Sequence, residues 1–67
     1  MNLENREKYT ELFEKYKPAL SQTQKQVIHL YLIEDLSIVE IADILATTRQ
    51  AVNDALKKAQ KKLDKFK

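Results

Sequence analysis

The sequence has no cysteine, no glycine and no tryptophan, and it has one proline and one histidine. Without cysteine the chain can form neither disulfide bonds nor thiolate metal sites, and His29 alone would need carboxylates to complete a metal site. Because glycine is absent and Pro18 is the one proline, strands and tight hairpins have little support. The 67 residues predict one small all-helical domain, whose core can bury about 60% of the surface exposed by the unfolded chain.

Long hydrophobic runs are also missing, since none approaches the ~18 residues that a membrane span requires. The N-terminal residues MNLENREKY lack the hydrophobic region of a signal peptide. We therefore expect a cytoplasmic protein without membrane contact. Catalysis, cofactors and small-molecule ligands are not expected, because no glycine-rich phosphate loop, activated nucleophile or metal-ligand spacing is present.

Positive charge is unevenly distributed, although the net charge is only +2. Residues 1–47 contain five basic and eight acidic residues, a net charge of −3, whereas residues 48–67 contain seven basic and two acidic residues, a net charge of +5. This concentration of cations favours nucleic acid as a partner. A solvated lysine-rich tail is the alternative interpretation.

Apolar spacing and cap residues predict four helices, at about residues 3–16, 22–34, 38–45 and 49–65. The first ends before Pro18. Its apolar stripe consists of Tyr9, Leu12, Phe13 and Tyr16. Ser21 and Gln24 form a predicted capping box at the start of the second helix. That helix is apolar on nearly all sides, so we expect it to be the most buried element, and we expect His29 within it to be an ordinary, partly exposed residue.

The third and fourth predicted helices are joined by a short turn. Ser37 and Glu40 form a second capping box, and Thr48 can cap the fourth helix. The buried sides are predicted to be Ile38, Ile41, Ala42 and Leu45, followed by Val52, Ala55, Leu56 and Ala59. Helices joined so closely must cross steeply, which is the geometry that places the second helix in a groove of nucleic acid. The sequence predicts a four-helix domain with a helix-turn-helix and without the wing of winged-helix proteins.

Six short motifs follow one another between residues 20 and 52. They are Leu20-Ser21, Lys25-Gln26, Leu30-Tyr31-Leu32, Glu34-Asp35-Leu36-Ser37, Glu40-Ile41-Ala42 and Thr48-Arg49-Gln50-Ala51-Val52. In this order they resemble region 4 of the sigma-70 factors and, more closely, the YlxM-type helix-turn-helix proteins of low-GC bacteria. The resemblance covers roughly residues 12–60. It implies a helix-turn-helix fold and, because YlxM-type proteins are encoded beside the signal recognition particle GTPase, a link to that pathway.

The sequence departs from this family's pattern at two points. Ala46 occupies the turn position that usually holds glycine or asparagine, and its Cβ disfavours a left-handed conformation by about 1 kcal/mol. The chain also stops near Phe66, whereas most YlxM-type proteins look longer. We expect that a shorter chain lacks contacts that the longer proteins use for pairing or for binding partners.

The candidate binding residues lie in and just before the fourth predicted helix: Thr48, Arg49, Gln50, Asn53, Asp54, Lys57, Lys58 and Lys61. Arg49 can pair with guanine, and Gln50 or Asn53 with adenine. Asp54 can accept a hydrogen bond from cytosine, or orient Arg49 or Lys57. Thr48 and the free N–H groups beside it suit a phosphate, and the three lysines can follow the backbone without reading its sequence. The alternative is an exposed helix start with no partner.

Three classes of partner remain open from the sequence. DNA is ranked first, with the fourth helix in the major groove. The RNA of the signal recognition particle is second, bound through phosphates and shape. A protein partner is third, with exposed apolar residues at Leu63 and Phe66 as its contact. These two residues continue the apolar side of the fourth helix, and its last turns must pack either on the first helix, the simpler arrangement, or on a second copy of the chain, which would make a homodimer.

Overall fold

The computed structural model describes residues 6–66, and within them the chain forms four α-helices. They are α1 (Arg6–Tyr16), α2 (Gln22–Ile28), α3 (Ile38–Ile44) and α4 (Arg49–Asp64). No strand occurs in this part of the chain. The all-helical prediction is thereby confirmed, while residues 3–5 of the first predicted helix lie outside the described residues. None of the helices described here is both long and apolar enough to cross a membrane.

The cap residues set the helix boundaries as the sequence predicts. Pro18 lies in a 3-10 turn, Lys17–Ala19, that follows the end of α1. At α2 the Ser21 hydroxyl accepts the Gln24 N–H (3.2 Å) and the Gln24 side chain accepts the Ser21 N–H (3.0 Å). Each bond satisfies an N–H group that a helix start would otherwise leave without a partner.

Ser37 and Glu40 form the equivalent box at α3, with bonds of 3.2 and 3.0 Å. Donation from the Ser37 backbone N–H, and then from its hydroxyl, holds the pKa of Glu40 below its ordinary value of 4.5. A carboxyl group whose pKa is lowered by folding stabilises the folded state when the pH is above its ordinary pKa. This stabilisation is lost as the pH falls through the lowered pKa. The box is therefore intact at neutral pH.

The second predicted helix is not α-helical along its whole length. Its last residues, His29–Ile33, form a π-helical turn, in which the Glu34 N–H donates to the His29 carbonyl five residues earlier (3.2 Å). In this wider turn Ile33 is 40% exposed. Residues 22–33 bury only Val27, Ile28 and Leu32, whereas α4 buries five residues, so the expectation that the second helix is the most buried element is wrong. Arg6 holds the segment from outside, since its Nη2 donates to the Tyr31 carbonyl (2.7 Å).

The central element is α4, which packs against α1, α2 and α3. Its buried side is the predicted apolar stripe as far as Leu63: Val52, Ala55, Leu56, Ala59 and Leu63. Ala42 of α3 is also buried. The predicted buried residues of α4 are therefore confirmed, and the other helices cover them on one side while the opposite side of α4 faces solvent.

The last turns of α4 pack on α1. Leu63 is fully buried, with an exposure of 0%, so the expectation that it forms an exposed contact is wrong. The Tyr9 hydroxyl donates to the Asp64 carboxylate and accepts a bond from Gln60 Nε2 (3.3 Å). Beyond the helix, the Phe66 ring stacks on Tyr16 with 4.1 Å between ring centroids. Of the two predicted ways to cover this end, packing within the chain is the one observed.

Candidate nucleic-acid interface

The turn before α4 is a Schellman motif with alanine in the left-handed position. The Thr47 N–H donates to the Ala42 carbonyl (2.9 Å) and the Ala46 N–H to the Asp43 carbonyl (3.3 Å), the 6→1 and 5→2 bonds of that motif. Ala46 has a φ of 53°. The geometry that usually takes glycine is therefore retained, at a cost of about 1 kcal/mol for the Cβ. This turn fixes where α4 begins.

Thr48 caps α4 as predicted, because its Oγ1 accepts the Ala51 N–H at 3.1 Å. The N–H groups of Arg49 and Gln50 precede the first intrahelical bonds and remain available to an acceptor. The Thr48 hydroxyl also keeps its hydrogen for donation to a second acceptor. Three donors thus lie together at the positive end of the helix dipole, a setting that suits an anion such as phosphate.

The solvent side of α4 carries a straight polar stripe. Its residues are spaced at i, i+4, i+7 and i+11 and are all exposed: Gln50, Asp54, Lys57 and Lys61. Arg49 is exposed at the start of the helix. Neither Lys57 nor Lys61 takes part in an ion pair with a carboxylate of residues 6–66. Both charges are therefore free to meet a phosphate.

Asp54 is paired with a different residue from those predicted. Its Oδ2 lies 3.1 Å from Lys58 Nζ, so it orients neither Arg49 nor Lys57. The spacing of four residues explains the choice, because side chains at i and i+4 are stacked on one face of a helix. The two side chains are 61% and 65% exposed, and such a pair contributes at most about 1 kcal/mol. Lys58 can therefore exchange Asp54 for a phosphate, but it is the least available of the predicted cations.

Asn53 differs more sharply from its predicted role. The residue is half-buried, and its Oδ1 is buried without a hydrogen-bond partner among the described residues. Bidentate pairing with adenine needs the amide oxygen and nitrogen together, so Asn53 cannot read adenine in this conformation. Gln50 is the exposed amide of the two.

Ala51 is a residue of this surface that sequence reasoning did not assign. It is exposed, and it lines one shallow polar depression together with the predicted residues Thr48, Gln50, Asn53, Asp54 and Lys57. A small side chain here leaves room for close approach, and alanine can contact the methyl group of thymine. The alanine in the Arg49-Gln50-Ala51-Val52 motif was the available signal. Elsewhere in the described part of the chain, no three histidine, aspartate or glutamate side chains are grouped so that they could hold a metal ion.

The fold and this surface define the class of protein: a small all-helical protein with a helix-turn-helix. A family described as "Putative helix-turn-helix protein, YlxM / p13 like" matches residues 3–67. The chain belongs to this family, UPF0122, as its motifs indicate. No solved structure matches the chain.

Curated relatives support the same assignment. A UPF0122 protein of Clostridium perfringens (strain SM101) is 41% identical over 64 residues, which are 96% of this chain and 57% of the relative. A UPF0122 protein of Lactiplantibacillus plantarum is 39% identical over 66 residues, 98% of this chain and 57% of the relative. One of Limosilactobacillus fermentum is 38% identical over 66 residues, with shares of 98% and 58%. The chain thus spans little more than half the length of these relatives.

Proposed function

We propose that this protein is a non-enzymatic regulatory protein that binds nucleic acid through the solvent side of α4, with duplex DNA as the preferred partner. The observation that carries the proposal is the exposed stripe of Gln50, Asp54, Lys57 and Lys61 on a helix whose opposite side is buried. A helix presented in this way after a short turn suits the major groove. The role also requires the cytoplasmic location that the sequence predicts.

Each group of the surface has a part in this proposal. Arg49 and Gln50 lie at the start of the helix, where recognition helices contact base edges. Lys57 and Lys61 would contact phosphates further along, and the N–H groups of the first turn would hold one more. Asp54 would repel a phosphate, so it faces the bases, where it can accept a hydrogen bond from the N4 amino group of cytosine.

The second candidate is the RNA of the signal recognition particle. The inward position of the Asn53 carbonyl leaves Arg49 and Gln50 as the main groups for base reading, with Asp54 held in an ion pair. A surface with few base-reading groups and two free lysines suits a partner recognised by phosphates and shape. The link to this particular RNA comes from the family resemblance.

The test is fluorescence anisotropy of labelled protein titrated with random duplex DNA and, separately, with signal recognition particle RNA at several salt concentrations. Two free lysines predict a log-log salt slope for duplex DNA of about −2, and pairing of Lys58 with a phosphate would make the slope steeper, at about −3. Lys57→Ala should flatten the slope by about 0.9. The matched control is Lys15→Ala, which removes the same charge from the exposed surface of α1.

Binding that is salt-dependent and weakened by Lys57→Ala but not by Lys15→Ala supports the proposal, and the partner bound more tightly decides between DNA and RNA. Absence of binding to both at low salt, or equal effects of the two variants, contradicts it.

A homodimer would double the number of cations facing the nucleic acid. Among the described residues at the end of α4, only Phe66 is an exposed large hydrophobic residue that could form its contact. The homodimer remains a prediction that sedimentation of the wild type and of Phe66→Ala can test.

A further inference from the structure

An apolar groove lies on a side of the molecule to which α4 contributes no residue. Its apolar lining comes from α1, the π-helical turn and the end of α3: Phe13, Leu30, Ile44 and Leu45. Lys17 and Lys25 also line it. We call this surface the α1–α3 groove. Ile44 is 58% exposed there, more than any other large hydrophobic residue in the described part of the chain.

The α1–α3 groove is lined by basic side chains, while two carboxylates lie just outside the lining: Glu14 near Lys17, and Glu34 with its Oε1 3.5 Å from His29 Nε2. Two lysines and His29 line it, and no carboxylate does. Lys17 Nζ lies 5.8 Å from the centre of the Phe13 ring and 3.9 Å from Glu14 Oε2. Lys25 is half-buried, and no carboxylate of residues 6–66 lies within 4.0 Å of it. A lysine in this position gains most from a negatively charged partner that also covers the apolar residues beside it.

We propose that the α1–α3 groove binds an amphipathic helix of another protein, with apolar residues toward Ile44 and Leu30 and carboxylates toward Lys17 and Lys25. Such a helix presents apolar residues at i, i+3 or i+4, and i+7, the pattern by which helices bind in grooves. Nucleic acid fits poorly, because its phosphates would leave Ile44 uncovered. Phe13 cannot serve as a stacking platform for bases either, since its exposure is 3%.

The proposal is independent of nucleic-acid binding and compatible with it. The stripe from Gln50 to Lys61 belongs to α4, and none of its residues lines the α1–α3 groove. A partner helix could therefore occupy the groove while α4 is bound to DNA or RNA. The protein would then connect an acidic helical partner to a nucleic acid.

The test uses the whole chain and two synthetic helical peptides of about 14 residues, each with leucines at i, i+4 and i+7. One carries glutamates beside the leucines, and the other carries lysines at the same positions. Two-dimensional amide NMR follows each titration. The glutamate peptide should shift the amide signals of Lys25, Leu30 and Ile44, and it should bind about tenfold more tightly than the lysine peptide.

Two surface variants of α3 provide a matched pair. Ile44→Glu places a like charge in the groove and should weaken binding of the glutamate peptide by about tenfold or more. Val39→Glu is the control, because Val39 is 50% exposed on the same helix and does not line the groove. Both residues are exposed enough that either variant should still fold. The two variants should bind duplex DNA with the same affinity as each other.

Several outcomes would overturn the proposal. They are equal affinity for the two peptides, equal weakening in the two variants, shifts confined to other surfaces, and no shifts at millimolar peptide. Sedimentation tests one further outcome that would overturn the proposal. If the wild type is a dimer that Ile44→Glu separates and Val39→Glu does not, the groove binds a second copy of the chain. None of these results depends on whether α4 binds nucleic acid.

Discussion

The two ends of α4 share one continuous buried side, but their other polar side chains differ: most of those near the start face solvent, and two near the end are hydrogen-bonded to α1. Near the start, Gln50 and Lys57 project into solvent, and the first N–H groups are without intrahelical partners. Near the end, Gln60 and Asp64 are hydrogen-bonded to the Tyr9 hydroxyl of α1. One helix therefore provides a free surface at one end and an internal anchor at the other.

This difference explains why α4 is longer than groove recognition alone requires. Its 16 residues extend about 24 Å, and the final turns bury Leu63 against the rest of the chain. The anchored end lies against α1, whose exposed Glu7, Glu11 and Glu14 repel phosphate. A run of lysines along a helix therefore does not mark its whole length as a binding surface.

The largest expected effect comes from breaking the anchored end. Leu63→Ala removes a fully buried side chain and should lower the free energy of unfolding by about 2–5 kcal/mol. In a domain of this size such a decrease leaves little stability. Urea unfolding followed by circular dichroism measures it, with the exposed Lys65→Ala as the control, expected within about 0.5 kcal/mol of wild type. Similar decreases in both variants would mean that the end of α4 is not packed as described.

The next effect concerns the free end. Replacing Arg49 and Gln50 together by alanine should remove about 1–3 kcal/mol of base discrimination for each bidentate base pairing that these side chains make, while leaving most of the affinity for any duplex. The measurement is a comparison of a selected duplex with a random one. Lys57→Ala is the contrasting variant, since it should weaken both duplexes equally. An unchanged preference in the double variant would exclude these residues from base reading.

Tyr9→Phe should weaken the anchored end of α4 by less than Leu63→Ala does, while leaving the free end unchanged. It removes the hydroxyl shared by Asp64 and Gln60 and should cost about 1 kcal/mol, with faster amide exchange in the last turn of α4. Because the free end is untouched, the affinity for duplex DNA should not change once the variant is folded. A matching fall in DNA affinity would show that the two ends are not independent.

The smallest expected effect lies in the turn that starts α4. Ala46→Gly relieves the left-handed strain of about 1 kcal/mol, and the greater freedom of glycine in the unfolded chain offsets part of this gain. We expect a net rise in stability of about 0.5 kcal/mol. Ala51→Gly, within α4, should instead lower stability by about 1 kcal/mol. If Ala46→Gly also lowered it, the backbone at position 46 would not be left-handed.

Local signals made the helix boundaries predictable from the sequence. Ser21, Ser37 and Thr48 each bond to a backbone N–H only three residues away, so their geometry does not depend on the rest of the fold. The same holds for the buried stripe of α4, whose spacing follows from helical periodicity alone. The family could likewise be recognised, because each of its motifs is a run of adjacent residues and the motifs follow one another in a fixed order.

Features that depend on distant contacts were not predictable. The π-helical turn is held in part by Arg6, which is 25 residues from the Tyr31 carbonyl that it binds. The buried position of the Asn53 side-chain oxygen, Oδ1, depends on how α4 packs, and helical spacing alone does not indicate it. Leu63 has the same spacing whether it faces α1 or a second copy. In each case the pattern indicates a face of the helix but not what covers it.

The most direct measurement of the central claim is two-dimensional amide NMR of the protein during titration with a short duplex DNA. We expect shifts that begin at Arg49 and continue through Lys61, with little change from Leu63 to Phe66. Shifts as large from Leu63 to Phe66 as from Arg49 to Lys61, or shifts centred on α1, would contradict the assignment of the stripe from Gln50 to Lys61 as the nucleic-acid surface.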